Sequence, residues 1–306
     1  MEKVSFFGWD NCYRVSNGDV ELIVTADVGP RIIRFGFIDG ENELKEFSEQ
    51  LGLVGGNSWR SYGGHRLWAA PEDLDKTYFP DNFPVRVQNF DNRITFLPEI
   101  EQSNHIQKSL SVRIENELVF IDHKITNTGD RPFELSAWAL TVMATGGTAI
   151  VPLPERGSHA QNLTPVNNLA LWKYTNLNDV RWTYLDRHIL ARQDVSLSKP
   201  QKLGFLLTEG WLAYANHGNL FVKMFDYRPN ANYPDMSSSA EVFFDHRILE
   251  LETLSPLKHL EPGGHIDHQE IWWLIRDFKF DPDRISIDLQ PIENEIKNYR
   301  KLLENK

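Results

Sequence analysis

The stretch Ile106-Gln-Lys-Ser-Leu-Ser-Val-Arg-Ile114, Glu115-Asn116-Glu117, Leu118-Val-Phe-Ile-Asp-His-Lys-Ile-Thr126 decides the fold class. Leu110, Val112 and Ile114 alternate with polar residues, and a second apolar run follows a short polar turn, so two antiparallel strands are expected here. The same texture spreads outward. Residues 133–142 form a further run after Asn127-Thr128-Gly129-Asp130, and 85–88 and 94–97 flank a polar turn at 89–93. Toward the start, 12–15 and 20–25 read as a hairpin around Ser16-Asn17-Gly18-Asp19, because Asn-Gly accepts the positive φ angles of a tight turn. Residues 32–38 follow it. Beyond the middle, 169–174, 203–207, 211–216, 220–227, 241–253 and 265–274 read as strands. No period of constant length recurs, so neither a solenoid nor a propeller is expected. The expected class is all-β, a meander of antiparallel strands. Only 283–303 reads as helix, with Ile285, Leu289, Ile292, Ile296, Tyr299 and Leu303 at helical spacing and Pro291 starting or kinking a segment.

No Gly/Ser/Pro-rich linker divides the 306 residues, so one domain over 1–306 is expected, closed by a helical segment at about 283–304. The irregular stretches 70–84, 151–168 and 228–239 are long for connections, and such loops on a β scaffold often line binding sites. Lys and Arg number 32 against 43 Asp and Glu, a net charge of −11 with no basic stripe, which argues against a nucleic-acid or polybasic membrane partner. Cys12 stands alone and closes no intramolecular disulfide. The opening Met1-Glu2-Lys3-Val4-Ser5-Phe6-Phe7 lacks a basic leader, and no run approaches the roughly 18 apolar residues of a membrane span. A cytoplasmic protein is expected. Aromatic residues make up 12% of the chain; they pack β-cores, and they also stack on the apolar faces of sugars.

Three segments carry candidate chemistry. Within 241–258, the period of two puts Ile248, Glu250 and Glu252 on one face of a strand and Leu249, Leu251 and Thr253 on the other. Two carboxylates then lie one pleat apart. In a cleft, repulsion and burial would raise the pKa of one, as acid–base catalysis requires; on a solvated sheet face they would do nothing. In Tyr62-Gly63-Gly64-His65-Arg66-Leu67-Trp68, glycines that permit close approach precede an imidazole suited to proton transfer and a guanidinium suited to hydroxyls or carboxylates. A regular strand would point His65 and Arg66 in opposite directions unless the glycines make a bulge, and both could be merely structural. Gly264-His265-Ile266-Asp267-His268 has no third ligand at diagnostic spacing, so it reads as turn and strand, and no metal site is assigned.

The order of features resembles the galactose mutarotase-like, or aldose 1-epimerase, superfamily, and within it the family called domain of unknown function 4380. The resemblance rests on Leu251-Glu252-Thr253, Leu260-Glu261-Pro262-Gly263, the strand Glu270-Ile-Trp-Trp-Leu274, the early strand after Gly29-Pro30-Arg31, and Gly64-His65-Arg66-Leu67. It implies a large antiparallel β supersandwich whose cleft binds a hexose, with no cofactor. In that chemistry a glutamate takes the anomeric hydroxyl proton, a histidine protonates the ring oxygen, and the opened ring recloses as the other anomer. By resemblance, Glu252 is the base and Arg66 binds substrate. The family's histidine motifs are missing; one of them falls at Trp138. His65, beside the matched arginine, stands in as acid. Asp235, in Tyr233-Pro234-Asp235, is an acceptor for sugar hydroxyls or simply a turn residue. Trp68 and Trp138 are stacking platforms, Glu250 is a further contact, and Arg31, Arg34 and Arg66 could make a local positive pocket.

The function expected from this reading is carbohydrate binding, with anomer interconversion by Glu252 and His65 and a small-molecule sugar as partner. A non-catalytic sugar-binding protein is the alternative, and a glycan-cleaving enzyme pairing Glu252 with Glu250 or Asp235 is a second.

Overall fold

A computed structural model describes residues 2–304. Among them the chain forms two large antiparallel sheets, one of eleven and one of ten strands, packed face to face. The strands expected from alternation are present: Ile106–Glu115 pairs with Leu118–Asn127, and Phe133–Met143 runs through the middle of the first sheet. Others escape that pattern. Thr148–Pro152 is buried at every position and so shows no alternation, while Trp182–Tyr184 and Lys258–Leu260 are three-residue strands. The run expected at 169–174 stops at Leu171, because the chain turns back there and the Thr175 amide donates to the Trp172 carbonyl at 2.9 Å.

The largest correction concerns 241–253, expected as one strand. It is a hairpin, Ala240–Phe244 and Leu249–Leu254, closed at 245–248. Asp245 makes the turn: its Oδ1 accepts from the amides of Arg247 at 2.6 Å and Ile248 at 3.0 Å.

The inner faces of the sheets enclose the main core, in which Phe35, Phe221 and Trp272 meet edge to face or tilted. The outer face of the second sheet is covered by the C-terminal segment, a short helix Ile285–Asp288 and the helix Gln290–Glu304. Ile285, Leu289, Ile296 and Leu303 bury against Trp211, Met224 and Ile271, and Pro291 sits in the first turn, where its missing amide leaves no bond unmade. Ile296→Val should therefore lower stability by about 0.5–1.5 kcal/mol in denaturant unfolding; no measurable change would mean that the helix contributes little packing. Among the described residues no helix is long and apolar enough to cross a membrane. The outer face of the first sheet carries the cleft.

Candidate functional site

Register sets the cleft. Arg66 lies opposite Leu140, Leu140 opposite Glu252, and Glu252 opposite Glu241, one row across four strands. A parallel row holds Val142, Glu250, Phe243 and Lys202, and a third begins with Trp68 and Trp138. Partners in such a ladder share a face, so Arg66, Trp68, Trp138, Glu241, Glu250, Glu252 and Lys202 all belong to the outer face of the first sheet. Of the three long irregular stretches, the first brings Glu72 and Tyr78 to the cleft and the third brings Asp235; 151–168 contributes none of its lining. Trp172 and Tyr174 enter from the turn after Leu171.

The cavity on this face measures about 680 Å³. One wall is aromatic: Trp59, Trp68, Tyr78 and Trp138 meet mostly edge to face at 5.2–5.9 Å between ring centroids. Arg66 lies over two of these rings, 4.1 Å from Trp68 and 5.0 Å from Trp59, with Glu250 at 3.7 Å. Burial and the nearby Arg31 lower its pKa to about 10, so it stays a cation at neutral pH. The positive pocket expected from Arg31, Arg34 and Arg66 does not form, because Arg31 is bonded to Asp81 at 2.8 Å and Arg34 to Glu21 at 2.6 Å.

The floor is ionic. Lys202 Nζ lies 2.6 Å from Glu241 Oε2 and 3.0 Å from Glu252 Oε2, and it sits 4.8 Å from the rings of both Trp138 and Trp172. Burial opposes its charge, but Glu252 and Glu241 override burial and hold the ammonium well above its usual pKa. The Trp138 indole donates to the same Oε2 of Glu252 at 2.8 Å. The other oxygen, Oε1, is buried with no partner in the protein, as are Arg66 Nε and Trp59 Nε1. Groups of this kind are costly to bury unless something else bonds them, and here they line the cleft. Burial first, then the charge of Glu252, pushes Glu250 up to about 7, with Arg66 pulling the other way. Burial raises Glu241 well above the carboxylate range despite Lys202, and it raises Asp235 too. The cleft thus holds a carboxyl that changes protonation near neutrality one pleat from a carboxylate clamped at one oxygen.

His65 is not in it. The strand His65–Ala70 is regular, so His65 points inward where Arg66 points outward, and the expected pairing of His65 with Glu252 is corrected. Gly64 causes no bulge; its φ of +69° and the 2.2 Å between an added Cβ and the Ile32 carbonyl show that it lets the strand enter beside its neighbour. Between the sheets His65 Nε2 lies 2.7 Å from His123 Nε2, and His65 Nδ1 lies 2.9 Å from Thr141 Oγ1. His123 Nδ1 faces the His268 carbonyl at 3.0 Å, which can only accept. That assigns the protons: His123 donates from Nδ1 and accepts at Nε2 from His65, whose Nδ1 accepts from Thr141. Lys223 completes the cluster, 2.9 Å from Thr141 Oγ1 and 2.9 Å from Glu270 Oε1. Burial keeps the pKa values of all three histidines low, that of His268 at about 3. Ligand atoms of His65, His123 and Glu270 lie within 4.8 Å of one another, the spacing of a metal site. Each already has a protein partner, and the Lys223 ammonium supplies the positive charge that a metal would bring.

Lys202, Glu241, Trp59, Trp172 and Tyr174 were missing from the sequence-derived site. Lys202 sits just before the apolar run that marked its strand. On a continuous strand Glu241, eleven residues from Glu252, would face away from it; the hairpin turns it back to the same face.

No family model matches the sequence, and a comparison with curated proteins finds no match. Solved structures do match over most of the chain. A galactose mutarotase related enzyme from Lactobacillus acidophilus is 12% identical with a TM-score of 0.57, covering 88% of this chain and 98% of its own. A galactose mutarotase-like protein from Lactobacillus casei is 9% identical with a TM-score of 0.54, covering 86% of this chain and 100% of its own. A third, from Clostridium acetobutylicum, is 12% identical with a TM-score of 0.50, covering 90% and 98%. The chain has the galactose mutarotase-like sandwich fold, as the motif order led us to expect. At these identities the likeness speaks for the fold alone.

Proposed function

We propose that the cleft binds a neutral sugar and interconverts its anomers by general acid–base catalysis, with Glu252 as base and Glu250 as acid. The carrying observation is Glu252 itself: Lys202 and Trp138 fix one oxygen, and the other is buried and unpartnered on a residue that lines the cleft. Glu252 takes the anomeric hydroxyl proton, the bond from the ring oxygen to the anomeric carbon breaks as the carbonyl forms, and Glu250 protonates the ring oxygen. Rotation and the reverse steps give the other anomer. Arg66 and the aromatic wall position the ring. The same proposal places the chain in the domain of unknown function 4380 branch, as a single cytoplasmic domain with a small sugar as partner.

The acid role gives a signed pH dependence. Glu250 acts only while protonated, so with its pKa at about 7 the specificity constant falls about tenfold per pH unit above pH 7. Anomer exchange followed by saturation-transfer NMR on a panel of neutral aldoses should show that limb in the wild type and not in Glu250→Gln. A limb unchanged by Glu250→Gln removes Glu250 from the role. The rival reading, sugar binding without chemistry, is favoured by one observation, the absence of His65 from the cleft; sugar-shifted protein resonances without faster exchange would select it.

A further inference from the structure

The cleft does not end at the ionic floor. Beyond Lys202, Trp138, Trp172 and Glu72, which border both spaces, a second lobe of about 300 Å³ opens between Pro71, Leu74 and Asp235. The waist between the lobes is aromatic on both flanks of Lys202, with Trp138 and Trp172 each 4.8 Å from its ammonium. Glu252, bonded to that ammonium and to the Trp138 indole, stands at the waist. Together the lobes approach the upper end of the roughly 300–1,000 Å³ range of ligand pockets, and a single pyranose would leave much of that space to water.

The second lobe is held open at a cost. Asp235, Met236 and Ser237 all adopt left-handed backbone, with φ of 49°, 59° and 71°. Residues other than glycine are strained there and persist where surrounding structure holds them. Gly204 makes room for the turn, since a Cβ there would stand 2.2 Å from Ser238 Oγ; its absence lets the turn settle on the sheet. Ser238 Oγ then donates to the Asp235 carbonyl at 2.7 Å. This arrangement places the Asp235 carboxyl in the lobe, where burial keeps it partly buried and lifts its pKa. Of the charged groups in the lobe, Glu72 and Asp235 face one ammonium that Glu241 and Glu252 already hold, so an anionic sugar is disfavoured.

We propose that the cleft takes a neutral oligosaccharide of at least two residues, one ring at Glu252 against Trp138 and the next in the Asp235 lobe against Trp172. This rests on the sugar-binding reading above and names its substrate class. Calorimetric titration with glucose, galactose, maltose, cellobiose and lactose tests it. At least one disaccharide should bind about ten-fold or more tightly than its constituent monosaccharides. Leu74 is 85% exposed, so Leu74→Arg fills the lobe without disturbing a core and should bring that ratio to about one. Asp235→Asn should lower disaccharide affinity as well. Equal affinities for monosaccharides and disaccharides, or a ratio untouched by Leu74→Arg, overturn the second subsite and leave the proposed function standing. Binding of none of these sugars overturns both.

Discussion

Glu252→Gln slows anomer exchange by about 10²–10⁴-fold, the usual contribution of a positioned acid or base. The substitution keeps the shape of the side chain and an oxygen for the Trp138 indole, and Lys202 retains Glu241 at 2.6 Å, so the floor of the cleft keeps its geometry. What disappears is the basic oxygen at Oε1. The expected pattern is therefore a fall in kcat with sugar affinity held within a few fold, because an interaction realised only during proton transfer has been removed. Saturation-transfer rates at matched sugar saturation measure it directly. A rate within about threefold of wild type would show that the proton leaves by another route, and Glu252 would then be a ligand-binding residue only.

The prominence of Glu252 in the sequence, and the silence of its partners, have one physical origin. A strand reports its own faces through a period of two, so the placement of Glu250 and Glu252 on one side could be read from 249–254 alone. It does not report what lies across the ladder. Lys202 and Glu241 reach Glu252 only through pairings set by turns, and the decisive turn at 245–248 is made by an Asp side chain inside a run that otherwise reads as continuous strand. The same period separates His65 from Arg66, and the structure follows that parity, not the adjacency of His65 to the matched arginine. The C-terminal helix was legible almost residue by residue, because Ile285, Leu289, Ile296 and Leu303 face one sheet and the 3.6-residue period carries that information locally. The aromatic lining was legible at Trp68 and Trp138, which lie on strands, but not at Trp59 and Trp172, which sit in loops, where no period says which way a ring points.

The interior cluster sets the second large effect. Lys223→Met should cost about 3–5 kcal/mol of stability, the range for removing one partner of a buried ion pair. Lys223 and Glu270 are both fully buried, 2.9 Å apart, and the ammonium also reaches the carbonyls of Ala139 and Leu251 at 3.1 and 3.0 Å. Burial disfavours the Glu270 carboxylate, yet Lys223 and the histidines around it keep its pKa below the ordinary range. Without the ammonium, Glu270 must stay charged with only Thr253 and Trp272 as donors, or take a proton at a cost that grows with pH. The loss should therefore be larger at pH 8 than at pH 5, since protonation relieves the stranded carboxylate. In the double variant Lys223→Met/Glu270→Gln no charge is stranded, and a substantial part of the loss should return. Denaturant unfolding of the wild type and the variants at both pH values measures all of this. A loss below about 1 kcal/mol in the single variant, or a double variant no more stable than the single one, would mean that the pair is not the electrostatic centre of the core.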